Sequence, residues 1–155
     1  MLSIQRLTHV GICVSDLERS LRFYRDLLGF SPEHELAVDG EPTDTLLRLR
    51  GTKLRAVYLT RDGVRLELLF FESPPAPPRR ERVMNELGLT HLSFRVADLE
   101  AVIEGLRAAG ERVLGDTVLR FPEFGSAACF VADPDGQLIE LVQAPGDPAA
   151  PPRSG

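Results

Sequence analysis

Cysteine, basic charge and long apolar runs are all scarce in this chain, and each absence excludes a class of protein. The 155 residues include two cysteines, Cys13 and Cys129, which match no closely spaced zinc or redox motif and are expected to be free thiols. No run approaches the roughly 20 apolar residues of a membrane span, and no basic and apolar leader precedes the first predicted strand. A formal net charge of −5 and a pI near 5.2 give no electrostatic case for nucleic acid or a membrane surface. These absences predict a soluble cytoplasmic protein.

A stretch of twelve residues occurs twice in the chain. Residues 7–18 read LTHVGICVSDLE and residues 89–100 read LTHLSFRVADLE, so that His9 and His91 occupy the same place in the two copies. Side chains alternate along a strand, so each copy predicts a strand with apolar residues on one face and the histidine on the other. A single histidine in a strand is most often structural. Its recurrence at the same position favours a functional role.

Both halves of the chain also close with a strand that carries a glutamate among aliphatic residues. Glu67 lies in VRLELLFF (64–71) and Glu140 lies in QLIELV (137–142). An unpaired carboxylate in the middle of an apolar strand costs several kcal/mol, so a partner is expected, and a cation is the natural one. The alternative partners are the arginines Arg48, Arg65 and Arg95.

Helical and strand patterns complete the first copy as a β-α-β-β-β module. Ser15-Asp16-Leu17-Glu18 has the capping-box pattern of a helix start, and apolar residues at helical spacing continue the helix to Gly29. Residues 31–45 are expected to form a loop or a weak strand. Strands are predicted at 45–50, 54–60 and 64–71, and an Asp62-Gly63 hairpin turn joins the last two.

The second copy reads in the same way. A helix begins at Asp98 and ends before Gly110, and strands are predicted at 112–115, 117–119, 127–132 and 138–142. Asp133-Pro134-Asp135-Gly136 predicts a tight turn before the last strand. The predicted single domain, 1–145, contains module one (4–73), a proline-rich linker (74–87) with a short helical turn at 79–87, and module two (88–144). A disordered tail is expected at 146–155.

These motifs resemble those of the vicinal oxygen chelate superfamily, which includes glyoxalase I, methylmalonyl-CoA epimerase, extradiol dioxygenases and bleomycin-type resistance proteins. The resemblance covers residues 4–144 and is most specific in 7–18, 88–100 and 130–141. It implies an α+β fold in which tandem βαβββ modules form curved mixed sheets around a shared cavity.

The resemblance also implies the site. Its metal ligands fall on His9, Glu67, His91 and Glu140, a donor set suited to one divalent cation per site: zinc, nickel, cobalt, manganese or iron(II). The implied activity is that of a metal-dependent lyase or isomerase of the glyoxalase or epimerase type, acting on a small oxygenated substrate. A metal-stabilised enolate forms there as a glutamate removes the adjacent proton. Glu140 is the expected base and Glu67 the alternative.

Departures from the individual members keep other activities open. Position 13 is a cysteine, where glyoxalase I enzymes usually have an arginine for glutathione, and residues 45–60 contain no carboxylate for a two-base epimerase. Glu67 weighs against an iron(II) extradiol dioxygenase. The complete ligand set weighs against a metal-free antibiotic-binding protein. The alternative functions are a small-molecule (antibiotic-type) binding or resistance protein and an iron(II) extradiol dioxygenase.

Strand parity gives the candidate substrate-binding residues. On the ligand face are Cys13, Arg65, Phe71, Ser93 and Arg95, with Arg48 as a further candidate from a neighbouring strand. The arginines suit a substrate carboxylate or phosphate. An equally weighted alternative is that they pair with the glutamates or reach solvent at the strand ends. A homodimer is expected, in which the half-sites close within one chain or across two.

Overall fold

Two four-stranded mixed sheets form the framework of the computed structural model, which describes residues 2–78 and 83–150. The chain divides into two compact units between Pro78 and Arg79. The first unit contains β1 (Val10–Val14), α1 (Leu17–Leu21), β2 (Ser31–Asp39), α2 (Gly40–Leu47), β3 (Lys53–Arg61) and β4 (Val64–Ser73). The second contains β5 (His91–Arg95), α3 (Leu99–Ala108), β6 (Arg112–Phe121), β7 (Ser126–Ala132) and β8 (Leu138–Gln143). The predicted α+β class with mixed sheets is confirmed; the cavity shared by the modules stays a prediction.

The two sheets repeat one strand order. In the first unit the order is β1-β4-β3-β2, and in the second it is β5-β8-β7-β6. The outer pairs β1–β4 and β5–β8 are parallel, and the other neighbours are antiparallel. Each histidine strand therefore lies directly beside the strand that carries the glutamate, with Gly11 opposite Glu67 and Ser93 opposite Glu140.

The apolar side of each closing strand forms the core of its unit. Leu66, Leu68 and Ile139 have no exposed surface, and Leu141 is also buried. Helix α1 packs on β4, and α3 packs on β6 and β8, so the helices cover this side. Burying a leucine or isoleucine side chain stabilises the fold by roughly 1.5–3 kcal/mol. The alternation predicted for both glutamate strands is confirmed.

The first helix starts differently from the capping-box prediction. Its N-cap is Asp16, whose carboxylate accepts a hydrogen bond of 3.0 Å from the Arg19 N–H, so the predicted serine–glutamate box is wrong. Asp98 caps α3 in the same way, through the Ala101 N–H. A short carboxylate one residue later in the motif performs the capping that the pattern assigned to the serine.

Helix α1 continues into a π-helical segment, Arg22–Leu27, which the apolar spacing did not indicate. Its wider turn is closed by the Leu28 N–H, which donates to the Phe23 carbonyl five residues earlier. Phe23 and Tyr24 are both fully buried there, and Gly29 then ends the segment with a positive φ of 72°. The stop predicted at Gly29 is confirmed.

The region between the first helix and β3 contains the main departure from the sequence prediction. Residues Ser31–Asp39 form β2, an edge strand with mostly exposed side chains, and Gly40–Leu47 form helix α2. The strand predicted at 45–50 is therefore wrong. Pro42 fits because the first turn of a helix does not need its N–H group. Arg48 ends α2 in a left-handed conformation with φ of 56° and is exposed, so it does not lie on a strand next to the candidate ligands.

The predicted turns are confirmed, with one change among the strands. Asp62 and Gly63 both have positive φ and join β3 to β4, while Asp133 accepts hydrogen bonds from two backbone N–H groups of the turn before β8. The separate strands predicted at 112–115 and 117–119 are a single strand, β6. Its pairing with β7 shifts register between Leu114 and Leu119.

The connecting and terminal segments are described in part. Within the turn predicted at 79–87, the Glu86 N–H donates to the Val83 carbonyl, and residues 79–82 lie outside the described residues. Within the predicted tail, Asp147 accepts from the Ala149 N–H, and residues 151–155 lie outside the described residues. None of the described helices combines the length and the apolar character needed to cross a membrane.

Candidate metal centre

The first unit brings its histidine and its glutamate together. His9 immediately precedes β1, and its Nε2 lies 3.2 Å from Oε2 of Glu67 on β4. The glutamate is held there by its two neighbouring strands, since it lies opposite Gly11 on β1 and opposite Tyr58 on β3. The side chain of Glu67 is 14% exposed, so the carboxylate is largely shielded from water.

Tyr58 is the main residue of this site that the sequence reading missed. Its phenol Oη donates a hydrogen bond of 2.5 Å to Oε1 of Glu67, and its ring meets the His9 ring edge to face, with centroids 5.4 Å apart. The hydrogen bond to Glu67, with burial as a smaller cause, raises the pKa of Tyr58 to about 12. The phenol is therefore protonated at neutral pH and acts as a donor. The sequence signal that could have found Tyr58 is its position opposite Glu67 in the β3–β4 pair. Recognising that position requires the register of the two strands.

The second unit repeats the pair with different supporting residues. Nε2 of His91, the first residue of β5, lies 3.6 Å from Oε2 of Glu140 on β8. The Ser93 hydroxyl donates to the same carboxylate oxygen at 2.7 Å. Phe130 takes the place opposite Glu140 that Tyr58 takes opposite Glu67, and its ring meets the His91 ring edge to face. Thus Ser93, a predicted substrate-binding residue, contacts a candidate ligand directly.

Gly11 on β1 and Ser93 on β5 occupy equivalent positions, and they account for the different hydroxyl donors to the two glutamates. A Cβ at Gly11 would lie 3.7 Å from Oε2 of Glu67 and 3.3 Å from the Leu69 side chain. A serine at this crowded position would bring its hydroxyl still closer to the carboxylate. Glu67 instead receives its hydroxyl from Tyr58 on the opposite side, while Glu140 receives one from Ser93.

Both histidine rings are oriented by the residue before them. Nδ1 of His9 lies 3.0 Å from the Thr8 hydroxyl, and Nδ1 of His91 lies 2.9 Å from the Thr90 hydroxyl. When Nδ1 carries the ring proton and donates it to the threonine oxygen, the lone pair of Nε2 is available on the side of the glutamate. A histidine that ligates a metal is usually oriented through its second nitrogen in this way.

Residues at or just before the start of the closing strands also hold the backbone in front of each histidine. Nη1 of Arg65 donates to the Thr8 carbonyl at 3.3 Å, and Nε2 of Gln137 donates to the Thr90 carbonyl at 3.0 Å. Arg65 is also paired with Glu33 through two of its nitrogens, at 2.6 and 2.5 Å. Its guanidinium thus supports the histidine segment in addition to any role toward a substrate.

The other predicted substrate-binding residues are less closely tied to the pairs. Cys13 is exposed on β1 opposite Leu69, and Phe71 is half-buried on β4 opposite Leu54. Arg95 donates to the Pro145 carbonyl at 3.0 Å. Arg48, at the end of α2, is the one candidate whose predicted place on a strand is wrong.

The donor atoms within each unit fit a divalent cation. Two atoms that bind one cation at about 2.0–2.2 Å, at a right angle or wider, are separated by about 3 Å or more. The observed separations of 3.2 and 3.6 Å are of this kind. Each unit supplies one imidazole nitrogen and one carboxylate. Within the part of the chain that the structure describes, neither unit alone gathers three histidine, cysteine, aspartate or glutamate side chains into a metal-binding group.

Comparisons with known proteins show which proteins this chain is similar to. The model of the Glyoxalase/Bleomycin resistance protein/Dioxygenase superfamily matches residues 6–141. A 2-epi-5-epi-valiolone epimerase from an Actinomyces species is 32% identical over 143 residues, which are 88% of this chain and 78% of that protein. An ethylmalonyl-CoA/methylmalonyl-CoA epimerase from Cereibacter sphaeroides is 32% identical over 145 residues, which are 90% of this chain and 98% of that protein.

The fold comparison gives the same result. The crystal structure of a glyoxalase family protein from Bacillus cereus superposes with a TM-score of 0.78 and 26% identity, covering 94% of this chain and 97% of that one. The duplicated histidine and glutamate strands, the mixed sheets and the match over most of the sequence have one explanation: the chain belongs to the Glyoxalase/Bleomycin resistance protein/Dioxygenase superfamily.

Proposed function

We propose that this chain is a divalent-metal-dependent isomerase or lyase, of which an epimerase is the favoured form, that removes a proton from a carbon next to a carbonyl group. The observation that carries the proposal is the repeated pairing of an imidazole Nε2 with a carboxylate, His9 with Glu67 and His91 with Glu140. Two relatives at 32% identity are named as epimerases, which supports this class. The substrate would be a small oxygenated molecule.

The cation would be held by His9 and Glu67 from module one and by His91 and Glu140 from module two, of the same chain or of a partner in a homodimer. Members of the superfamily typically use a divalent metal, which supports this assignment. When bound, the cation supplies Lewis acidity that makes the carbon next to a coordinated carbonyl more acidic. Zinc, nickel, cobalt, manganese and iron(II) all suit these ligands.

Glu140 is the proposed base. Its side chain is 29% exposed, about twice the value of 14% for Glu67, and its hydroxyl partner is the short side chain of Ser93. In the proposed step the C–H bond of the substrate breaks, an O–H bond forms on the Glu140 carboxylate, and the electron pair is delocalised into the carbonyl. Return of the proton completes an isomerisation, and loss of a leaving group completes an elimination.

A second base on the ligand face of β3 has no support in the structure. That face carries Leu54, Ala56, Tyr58 and Thr60, by register with β4. On β2, Glu35 points to the other face and pairs with Arg55 at 2.7 Å, while Glu33 is paired with Arg65 and His34 is stacked on Tyr58. The proposal therefore assigns proton removal to Glu140, with Glu67 as the alternative.

The test combines metal analysis with isotope exchange. Protein purified without a histidine tag is expected to contain a divalent metal, which His91→Ala loses during gel filtration and chelator treatment. The native protein is then screened for solvent-deuterium incorporation into 2-oxo thioesters, hemithioacetals and catechols. Full metal stoichiometry in His91→Ala would contradict the ligand assignment. Tight binding of an unchanged compound without exchange would favour a small-molecule-binding protein, and oxygen uptake with a catechol would favour a dioxygenase.

A further inference from the structure

The two glutamates differ in the group that holds each of them. Glu67 accepts a hydrogen bond from the phenol of Tyr58, and Glu140 accepts one from the hydroxyl of Ser93. We propose that Tyr58 is a positioning residue that fixes the Glu67 carboxylate as a permanent metal ligand, so that the looser Glu140 is the one that moves protons. The inference rests on the proposed function and adds to it a division of roles between the two modules.

Tyr58 is suited to fix a neighbour because its own ring is held on two sides. The ring of His9 meets it at 77° with a centroid distance of 5.4 Å, and the ring of His34 stacks on it at 28° and 6.2 Å. A tyrosine side chain has few rotatable bonds, and these contacts restrict the remaining freedom. Its hydroxyl therefore presents a donor at one fixed place opposite Glu67.

The carboxylate of Glu67 has a defined partner for each of its oxygens. Oε1 accepts from Tyr58 at 2.5 Å, and Oε2 lies 3.2 Å from His9 Nε2. The hydrogen bond from Tyr58 fixes the position of Oε1, and this sets the direction in which Oε2 faces. A rigid carboxylate favours metal binding, because less conformational entropy is lost when the ligand geometry forms.

The second module has a different distribution of contacts. The Ser93 hydroxyl donates to Oε2 of Glu140, the same oxygen that lies nearest His91 Nε2. The aromatic residue opposite Glu140 is Phe130, which has no hydroxyl to offer the other oxygen. The greater exposure of this side chain gives it room to rotate toward a substrate. A base that must reach a carbon atom and return benefits from that freedom.

The first experiment measures binding of Co(II) alone to the metal-free full chain, by calorimetry and by the visible absorption of the bound ion. Tyr58→Phe is expected to weaken Co(II) binding at least tenfold and to change the visible spectrum, since loss of a hydrogen bond to a metal ligand typically costs 10–100-fold in affinity. Ser93→Ala also removes a hydrogen bond to a ligand, but it is expected to change the affinity less than about threefold, because Glu140 is the less firmly held ligand in this proposal. Equal affinity in Tyr58→Phe and wild type, or equal losses in both variants, would overturn the inference.

A second measurement leaves Tyr58 in place and is independent of how well Tyr58→Phe folds. The chain has two tyrosines and no tryptophan, so in Tyr24→Phe the near-ultraviolet tyrosine absorption comes from Tyr58 alone. Because Zn(II) withdraws electron density from a carboxylate that binds it, adding Zn(II) is expected to perturb this absorption. Bound Zn(II) without any perturbation would overturn the inference. Failure of the wild type to bind either ion would overturn the proposed function as well, which distinguishes the two failures.

Discussion

The hydroxyl of Thr90 lies 2.9 Å from Nδ1 of His91, while Nε2 of the same ring lies 3.6 Å from Glu140. Thr8 and His9 repeat this relationship at 3.0 Å, with Nε2 at 3.2 Å from Glu67. In both modules a threonine therefore engages one ring nitrogen and leaves the other for the carboxylate side. The repeated Thr-His pair is a structural unit that holds each ring through Nδ1 and directs Nε2 toward the glutamate.

The first prediction concerns these threonines. Thr8→Val and Thr90→Val keep the shape of the side chain and remove the hydroxyl, so the ring loses the partner that holds its Nδ1. Each substitution is expected to weaken divalent-metal binding about tenfold, with a larger loss in the double variant. Calorimetric titration of the metal-free protein measures the effect. Unchanged affinity in the double variant would show that the hydroxyls do not orient the rings.

The second prediction separates the roles of the two glutamates. Glu140→Gln is expected to retain metal and lose proton transfer by at least 100-fold, because a neutral amide cannot accept the substrate proton. Glu67→Gln is expected to lower the metal affinity more than Glu140→Gln does. At saturating metal it is expected to keep a higher rate of proton transfer than Glu140→Gln. The measurements are metal content and the rate of solvent-deuterium exchange. Wild-type exchange in Glu140→Gln would remove that residue from the base role.

The repeated features of this chain were the ones that its sequence predicted well. Alternation alone placed Glu67 and Glu140 on one face of their strands and the apolar residues Leu66, Leu68, Ile139 and Leu141 on the other, buried face. The structure agrees. The His9–Glu67 and His91–Glu140 pairs then follow from parallel pairing of the first and last strands of each module. Duplication made these inferences strong, because an accidental pattern would not recur with the same order of elements.

Tyr58, β2 and α2 could not be predicted in the same way. Tyrosine is common in strands for packing reasons, and its contact with Glu67 depends on the β3–β4 register, which the Asp62-Gly63 turn sets but which strand alternation alone does not show. The polar edge strand β2 exposes residues on both faces, so it shows no alternation. Helix α2 is a short exposed helix with no buried side chain and therefore no apolar stripe.

The third prediction concerns pH and the ion pair beside Thr8. The Arg65 guanidinium holds the pKa of Glu33 below its ordinary value of 4.5. A carboxylate whose pKa is lowered by folding stabilises the native state above the unfolded pKa, and this contribution disappears as the pH falls through the folded pKa. Wild type is therefore expected to be more stable than Glu33→Gln near neutral pH, by an amount that shrinks as the pH falls below the ordinary value of 4.5.

Denaturant unfolding of both proteins, over a series from neutral to acid pH, measures this difference in stability. The pair is partly exposed, with 37% of each side chain accessible, so added salt is expected to reduce the difference. A difference that stays constant from neutral to acid pH would show that the charge of Glu33 is not its source. Because Arg65 also donates to the Thr8 carbonyl, Glu33→Gln is further expected to weaken metal binding at neutral pH.

The last prediction uses neighbouring residues of β4 to separate the core from the site. Leu68 is fully buried on the helix side, whereas Leu69 is half-buried on the side of Glu67 and lies near Gly11. Leu68→Ala is expected to lower the free energy of unfolding by about 2–5 kcal/mol while the folded molecules bind metal normally. Leu69→Ala is expected to cost roughly 1 kcal/mol and to weaken metal binding severalfold, because water gains access to the carboxylate. Unfolding curves and calorimetric titration of both variants give the four values. If both substitutions changed stability and affinity in the same proportion, the two faces of β4 would not have the separate roles that the alternation assigns to them.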